Sequence, residues 1–481
     1  MKTKSIVAIL LLVTTHLIAQ NKTNPIEGIW EQEGYGRVVE IKNKKAIIYD
    51  TCSTSCNKNT IVPAKMLIKE YNISNSSKNT LIAQNGISKY FFNRIDKLPN
   101  LCADKIKNKK DPRYNFEALW QTFNEHYIYF KERKIDWNVL RTKYKAQINK
   151  NTTDFELYLI LRKMIKELDD GHTFIIPPKK LMKKYLKFRS DNREIRKKKI
   201  LDSLGQDYKL PSIHVDSLRL VAIKNYVKDV KTYNFGVLNY GLINKDVALV
   251  QINEMEQFAN YNIPSTISED KAEKMYAKKA NQSENYTQDE TNGASYIMEK
   301  VISEIRNTKI CIIDIRFNGG GFDEVQLEIL KRFATKETLV INKKARNNDS
   351  FTQKQSFFVK PTKSAYKGKV YILTSYQTAS AAEDFALGAM AAIPNAVRIG
   401  SNTMGIFSDI LDKKLPNGWQ YGLSNEVYES LEGKSYEVIG IEPHHKIEYP
   451  KSGYWFYKLF HDNNTDKDEA IEKVFELEIE Y

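Results

Sequence analysis

Cysteine, histidine, proline and glycine are all scarce in this chain of 481 residues, which holds 4 Cys, 7 His, 13 Pro and 21 Gly. So little glycine and proline excludes collagen-like and low-complexity architectures. The few histidines form no His-Glu-x-x-His or comparable ligand spacing, so no metal and no other cofactor is expected. No uninterrupted apolar run reaches the ~18–20 residues that a membrane-spanning helix needs. A Gly-x-Gly-x-x-Gly turn is missing too, which leaves dinucleotide binding without its fingerprint. What remains is globular material, 42% hydrophobic and 28% charged, enough for roughly two to four domains.

Positive charge is the one excess, with Lys+Arg 74 against Asp+Glu 59 and a net +15. Two features argue against nucleic acid as the partner. Lys2 and Lys4 precede an apolar stretch from Ile6 to Val13, Thr14 to His16 interrupt it, and Ala19 stands before Gln20. That is the layout of a secretory signal peptide over residues 1–19, and without a cysteine at the cleavage point no lipid anchor is indicated. The expected localisation is therefore the periplasm, the cell envelope or the medium, and the processed chain carries +13. The lysines and arginines also lack the aromatic interleaving of a base-stacking platform. Their densest run, Lys179 to Lys199, includes Asp191 and Glu194, as on a solvated helix face.

The periodicity changes twice along the chain, predicting a multidomain α/β protein. Residues 20–105 read as a small β domain, with β-formers such as Arg37-Val-Val-Glu-Ile and Lys45-Ala-Ile-Ile-Tyr set between turn residues. Cys52, Cys56 and Cys102 lie in it, so that a Cys52–Cys56 loop or a bridge to Cys102 are both open, while Cys311 in an apolar strand reads as a buried thiol. Residues 106–232 read as a helical subdomain. Phe116, Leu119, Trp120, Phe123 and Tyr127 share a helix face, and Thr153-Asp-Phe-Glu156 is a capping-box start. Residues 233–481 alternate apolar strands such as Val247-Ala-Leu-Val-Gln-Ile and Lys309-Ile-Cys-Ile-Ile-Asp with helix-like segments, as in an α/β domain.

Three places ask for chemistry. The strand ending Asp314-Ile-Arg-Phe-Asn runs into Gly319, Gly320 and Gly321, a turn able to aim unpaired N–H groups at an oxyanion. Ser380 stands at a strand-to-helix turn among alanines, where a helix N-terminus favours a nucleophilic hydroxyl; the bland reading is a capping or packing serine. His172 follows a helix in Asp169-Asp-Gly-His-Thr173, and a lone histidine there is ordinarily structural unless it has a partner. Of the others, His126 reads as a boundary residue beside the apolar stripe and His444-His445 as a surface turn.

Taken in order, these segments, with Gly400-Ser-Asn-Thr-Met-Gly405, Leu415-Pro-Asn-Gly-Trp and Glu437-Val-Ile-Gly-Ile-Glu-Pro443, resemble the tail-specific (C-terminal processing) serine peptidases, in their tricorn-like branch. The resemblance covers roughly residues 112–450 in six ordered motifs. It implies a ClpP/crotonase-like α/β domain, Ser380 as nucleophile, His172 as general base and Glu437 as the supporting acid. The N–H groups of Gly319 or Gly320 and of Ala381 would form the oxyanion hole. It implies a peptide or protein substrate, and leaves open a ligand-binding protein on the same scaffold or a hydrolase of other acyl groups. The oligomeric state is left unassigned. Three positions depart from the family pattern. Ile406 follows Gly405 where the Ser/Lys branch has its lysine, with Lys413 and Lys414 nearby but off the motif. Gly171 precedes the histidine where a hydroxyl residue is usual, so Glu437 must reach His172 directly, through Thr173 or through water. Pro443 is followed by His444 rather than Asp. No PDZ pattern is expected between His172 and residue 240.

Overall fold

The structure is a computed structural model that describes residues 26–75, 77–103, 108–204, 215–264, 266–462 and 467–479; the expected signal peptide, residues 1–19, lies outside them. The N-terminal region is β-rich: seven antiparallel strands form one sheet between Gly28 and Ile95. Alternation sets its faces, with Val39 and Ile41 buried on one side together with Trp30, over whose ring the Arg94 guanidinium stacks at 4.1 Å. Its strands Thr80–Asn85 and Ser88–Ile95 are joined by a two-residue turn, Gly86-Ile87, in which Gly86 takes φ +57°. Of the open cysteine pairings, Cys56 bonds Cys102, Cys52 is free, and Cys311 is a buried thiol.

Three helices follow, Pro112–His126, Trp137–Lys145 and Asp154–Lys166, each with a side-chain N-cap: Asp111, Asp136, and Thr153 in a complete capping box with Glu156. Their apolar faces pack together and onto Leu411, Trp419, Tyr421 and Leu423, which come from a much later part of the chain. The helix Val215–Lys224 belongs elsewhere. Its Ala222 and Ile223 pack on the large sheet described next, so residues 106–232 do not share one core.

That large sheet has seven strands. Five run parallel: His445–Lys446, Val397–Gly400, Lys369–Thr374, Ile310–Asp314 and Val247–Ile252. Leu238–Leu242 and Lys231–Tyr233 close it antiparallel. His445 thus extends the sheet as an edge strand opposite Ile399, rather than standing in a surface turn. Within Ile310–Asp314, Cys311 and Ile313 face the helices Tyr286–Ile305, Asp323–Leu330 and Ala381–Ala392, while Ile310 and Ile312 face the opposite layer. Burial on both faces requires the continuous apolar run, each such side chain contributing about 1.5–3 kcal/mol. The parallel strands all end on one edge, where loops gather a site in α/β proteins.

Candidate active site

The turn after Lys369–Thr374 is pinned before it reaches Ser380. Ser375 Oγ donates to the Arg316 carbonyl at 2.6 Å and Thr378 Oγ1 to the Ile315 carbonyl at 2.9 Å, locking this turn to the one after the neighbouring strand. Arg316 is itself fully buried, paired with Asp314 and Asp468 at 2.8 Å each. Ser380 then adopts φ 54°, ψ −131°, a conformation costing a non-glycine residue on the order of 1–3 kcal/mol and held only by such surroundings. The helix Ala381–Ala392 starts immediately after it, yet the Ser380 side chain makes no capping hydrogen bond. Its half-buried hydroxyl is left for other work at the positive end of a helix.

Gly320 packs directly under that hydroxyl. A Cβ there would lie 2.6 Å from the Ser380 Cβ and 2.9 Å from the Ala379 carbonyl, and its φ of +108° suits glycine alone. Its N–H donates to Asn318 Oδ1 at 2.9 Å and its carbonyl accepts from Met255 N–H at 2.7 Å. Gly320 is therefore the close-approach residue of the turn, with its own N–H committed. Gly319 is exposed with open space around it, and its N–H, like that of Ala381 at the first position of the helix, has no hydrogen-bond partner among the described residues.

Glu383, in the first turn of the same helix, ties the nucleophile turn to a second loop. Its buried carboxylate accepts the N–H groups of Gly405 at 2.7 Å and Ile406 at 2.8 Å. Burial pushes its pKa up to about 7, against hydrogen bonds from Thr403 and from the N–H groups of Ile406, Gly405 and Ser380. Glu383 stands three residues after Ser380 in Thr378-Ala-Ser-Ala-Ala-Glu383, but only the three-dimensional clamp reveals its work. Ile406, where the lysine of the other branch would stand, is buried, and a Cβ on Gly171 would lie 3.0 Å from its Cδ1. Lys413 and Lys414 do not belong to the site; they reach into the β-rich region, to the Gly36 carbonyl at 2.6 Å and the Asn59 carbonyl at 3.1 Å.

His172 approaches this loop from the helical side. Asp170 Oδ1 accepts its backbone N–H at 2.8 Å, and Asp170 Oδ2 accepts the hydroxyls of Tyr127 at 2.9 Å and Ser424 at 3.0 Å. The imidazole is buried and its Nδ1 has no hydrogen-bond partner among the described residues. Burial lowers its pKa, opposed by the charges of Asp170 and Asp409 and by the nearby backbone of Ser408. His126, read from sequence as a boundary residue, is half-buried, with its ring set against Gly36 of the β-rich region.

Glu437 makes no hydrogen bond to His172, and the Thr173 hydroxyl is spent on the Asp170 carbonyl at 2.9 Å. Glu437 Oε2 instead accepts the N–H groups of Phe407 at 2.7 Å and Ser408 at 3.3 Å, and Oε1 accepts from Arg133 at 3.2 Å. Its hydrogen bonds thus go to the Phe407–Ser408 backbone rather than to the imidazole. Burial pushes Glu437 up to about 8, with Asp170 adding to the shift and the Phe407 N–H and Arg133 opposing it. Arg133, 3.8 Å from Asp170, is a residue that sequence patterning missed, since nothing in Lys131-Glu-Arg-Lys134 marks it. Among the described residues no group of three or more His, Cys, Asp or Glu could hold a metal ion.

Comparison with known proteins follows this geometry. Residues 246–447 match the family model of peptidase family S41, and residues 108–166 match that of the tricorn protease C1 domain. A solved structure of a candidate peptidase from Parabacteroides merdae is 20% identical, covers 76% of this chain and 96% of its own, and has a TM-score of 0.53, showing the same fold. Mature CPAF is 9% identical over 74% of this chain and 97% of its own, with a TM-score of 0.49. The tricorn protease is 13% identical over 92% of this chain and 46% of its own, with a TM-score of 0.40.

Proposed function

With a family S41 domain over residues 246–447, the chain is a serine-type peptidase, and we propose that it cleaves peptide bonds through an acyl-enzyme on Ser380, with His172 as general base. The observation that carries this reading is the uncapped, strained Ser380 at a helix start, over a glycine turn and tied through Glu383 to the loop that touches His172. A serine hydroxyl at its free pKa is a weak nucleophile and needs a base to take its proton. Ser380 Oγ attacks the substrate carbonyl as His172 accepts the proton, and the developing oxyanion takes the N–H groups of Gly319 and Ala381. His172 returns the proton to the leaving amine, and water releases the acyl group by the same route. Glu437 is a positioning residue: it holds the 407–408 peptide in place beside the imidazole. Export after removal of residues 1–19 belongs to the same proposal, and the Cys56–Cys102 bond suits an oxidising compartment.

A fluorophosphonate probe tests the mechanism. The wild type should be labelled, Ser380→Ala should not, and His172→Ala should lose at least about 10³-fold in labelling rate. A folded wild type that takes no probe would leave the scaffold as a binding protein. Labelling with cleavage of esters but not peptides would indicate another acyl hydrolase.

A further inference from the structure

The β-rich N-terminal region meets the active site at one hairpin tip. Ile87 N–H donates to Glu324 Oε1 at 2.7 Å, three residues beyond Gly321 of the glycine turn. A Cβ on Gly86 would sit 1.6 Å from that same Glu324 oxygen, so the tip is seated as closely as glycine permits. The next residue, Ser88, is buried and accepts from Lys343 Nζ at 2.7 Å. Lys343 is buried as well and spends its other two N–H groups on Asp409 at 2.9 Å and Tyr428 at 3.2 Å. The Tyr428 hydroxyl in turn donates to Asp323 Oδ2 at 2.9 Å, at the start of the helix that follows the glycine turn. Asp409 is the neighbour of Ser408, keeps its carboxylate half exposed, and its charge favours the protonated form of His172. Both halves of the site therefore lean on one three-residue tip.

Resting on the peptidase reading above, we infer that the N-terminal β region is a working part of the active site. Its tip Gly86–Ser88 positions the glycine turn through Glu324 and the Asp409 wall beside His172 through Lys343. The obstacle at Gly86 is the end of a flexible side chain, so Gly86→Ala displaces the Glu324 carboxylate from Ile87 and adds only the local strain of an alanine at φ +57° in the turn. Ser88→Ala leaves one Lys343 N–H without its acceptor and loosens the hold on Asp409, whereas Ser88→Thr keeps the hydroxyl.

The test is hydrogen exchange by mass spectrometry together with fluorophosphonate labelling on the full chain. In Gly86→Ala and Ser88→Ala, peptides covering residues 319–324 and 404–409 should exchange several-fold faster while residues 37–63 hold their protection. Labelling should slow at least about threefold in both. Ser88→Thr should restore both readouts, and Met66→Ser, on an exposed helix of the same region, should change neither. Unchanged exchange at residues 319–324 and 404–409 in both tip variants overturns the inference, as does equal acceleration throughout the chain. Exchange needs no peptidase chemistry. A wild type that takes no probe would sink the acyl-enzyme reading, while the exchange pattern still decides this one.

Discussion

The nucleophile half of the site stands on a parallel sheet and a helix start, whereas the base half hangs on buried charge between loops. Around Ser380 the fit is made by small residues and backbone: Gly320 under the serine, Ala381 and Ala382 behind it, and hydroxyls of Ser375 and Thr378 tied to neighbouring carbonyls. Around His172 it is made by Arg133 set between Asp170 and Glu437, with hydroxyls and N–H groups filling the remaining acceptor positions. Steric fit tolerates almost no added volume but is insensitive to pH. A charge cluster tolerates modest movement but fails when one member is removed. The two halves should therefore break in different ways.

The largest effect should come from the base half. Arg133→Met strands the carboxylate of Asp170 and, above its pKa of about 8, that of Glu437, and should cost about 3–5 kcal/mol of unfolding free energy in urea when measured above that pKa. Adding Glu437→Gln should recover part of that loss, because it removes one stranded charge, and the two changes should be non-additive. A loss below about 1 kcal/mol in the single variant would show that charge does not hold this half together.

The nucleophile half should answer to volume. Gly320→Ala places a methyl 2.6 Å from the Ser380 Cβ at a φ of +108°. It should lower kcat by about 10²–10³, the scale of losing an oxyanion donor, because the serine and the neighbouring Ala381 N–H are pushed apart. Urea unfolding separates this from misfolding: kcat should fall far more than stability does.

That contrast also explains what could be read from the chain. Ser380, the glycine turn and the buried strands are local, each written in a few consecutive residues whose periodicity and size carry the meaning. The capping box at Thr153 was legible for the same reason. The base half was legible only as His172 and Glu437, known by resemblance. Arg133 lies 304 positions from the carboxylate it pairs with, and no spacing rule joins them. The sequence expects Glu437 to reach His172 directly, through Thr173 or through water, but its hydrogen bonds go to the backbone of Phe407 and Ser408, whose amides look alike in any sequence. Helix Val215–Lys224 was grouped with its helical neighbours because periodicity shows that a face is apolar, not which surface it meets.

The base half carries the His172 limb of the pH dependence, while Glu383, pushed up to about 7, adds one of its own to the nucleophile half. Burial lowers the His172 pKa, so the imidazole stays neutral into more acidic solution than a free histidine of ~6.5. Hence, read in a Glu383→Gln background, kcat/KM should stay level as pH falls through that value and decline only below it. Asp409→Asn removes a charge that favours the imidazolium and should move the limb further to the acid side. Stability follows the same sign. The unfolded chain takes up the proton first, so stability is lost as pH falls below ~6.5, until the folded imidazole also titrates. A limb at or above 6.5 would mean that His172 titrates as an exposed histidine.

The smallest effect should fall one residue from one of the largest. Gly319 neighbours Gly320 and shares its glycine turn, yet its backbone is not in the left-handed region and an added Cβ meets nothing within 4 Å. If the nucleophile half is governed by contact, Gly319→Ala should leave unfolding free energy within about 0.5 kcal/mol of wild type. The N–H assigned to the oxyanion survives the substitution, so labelling by a small fluorophosphonate should change by less than about threefold. Any remaining penalty should appear in KM for longer peptides, which must pass the new methyl on the exposed face. If Gly319→Ala instead slows small-probe labelling as much as Gly320→Ala does, the turn acts through the mobility of its glycines, and close packing under Ser380 is not what makes the nucleophile half work.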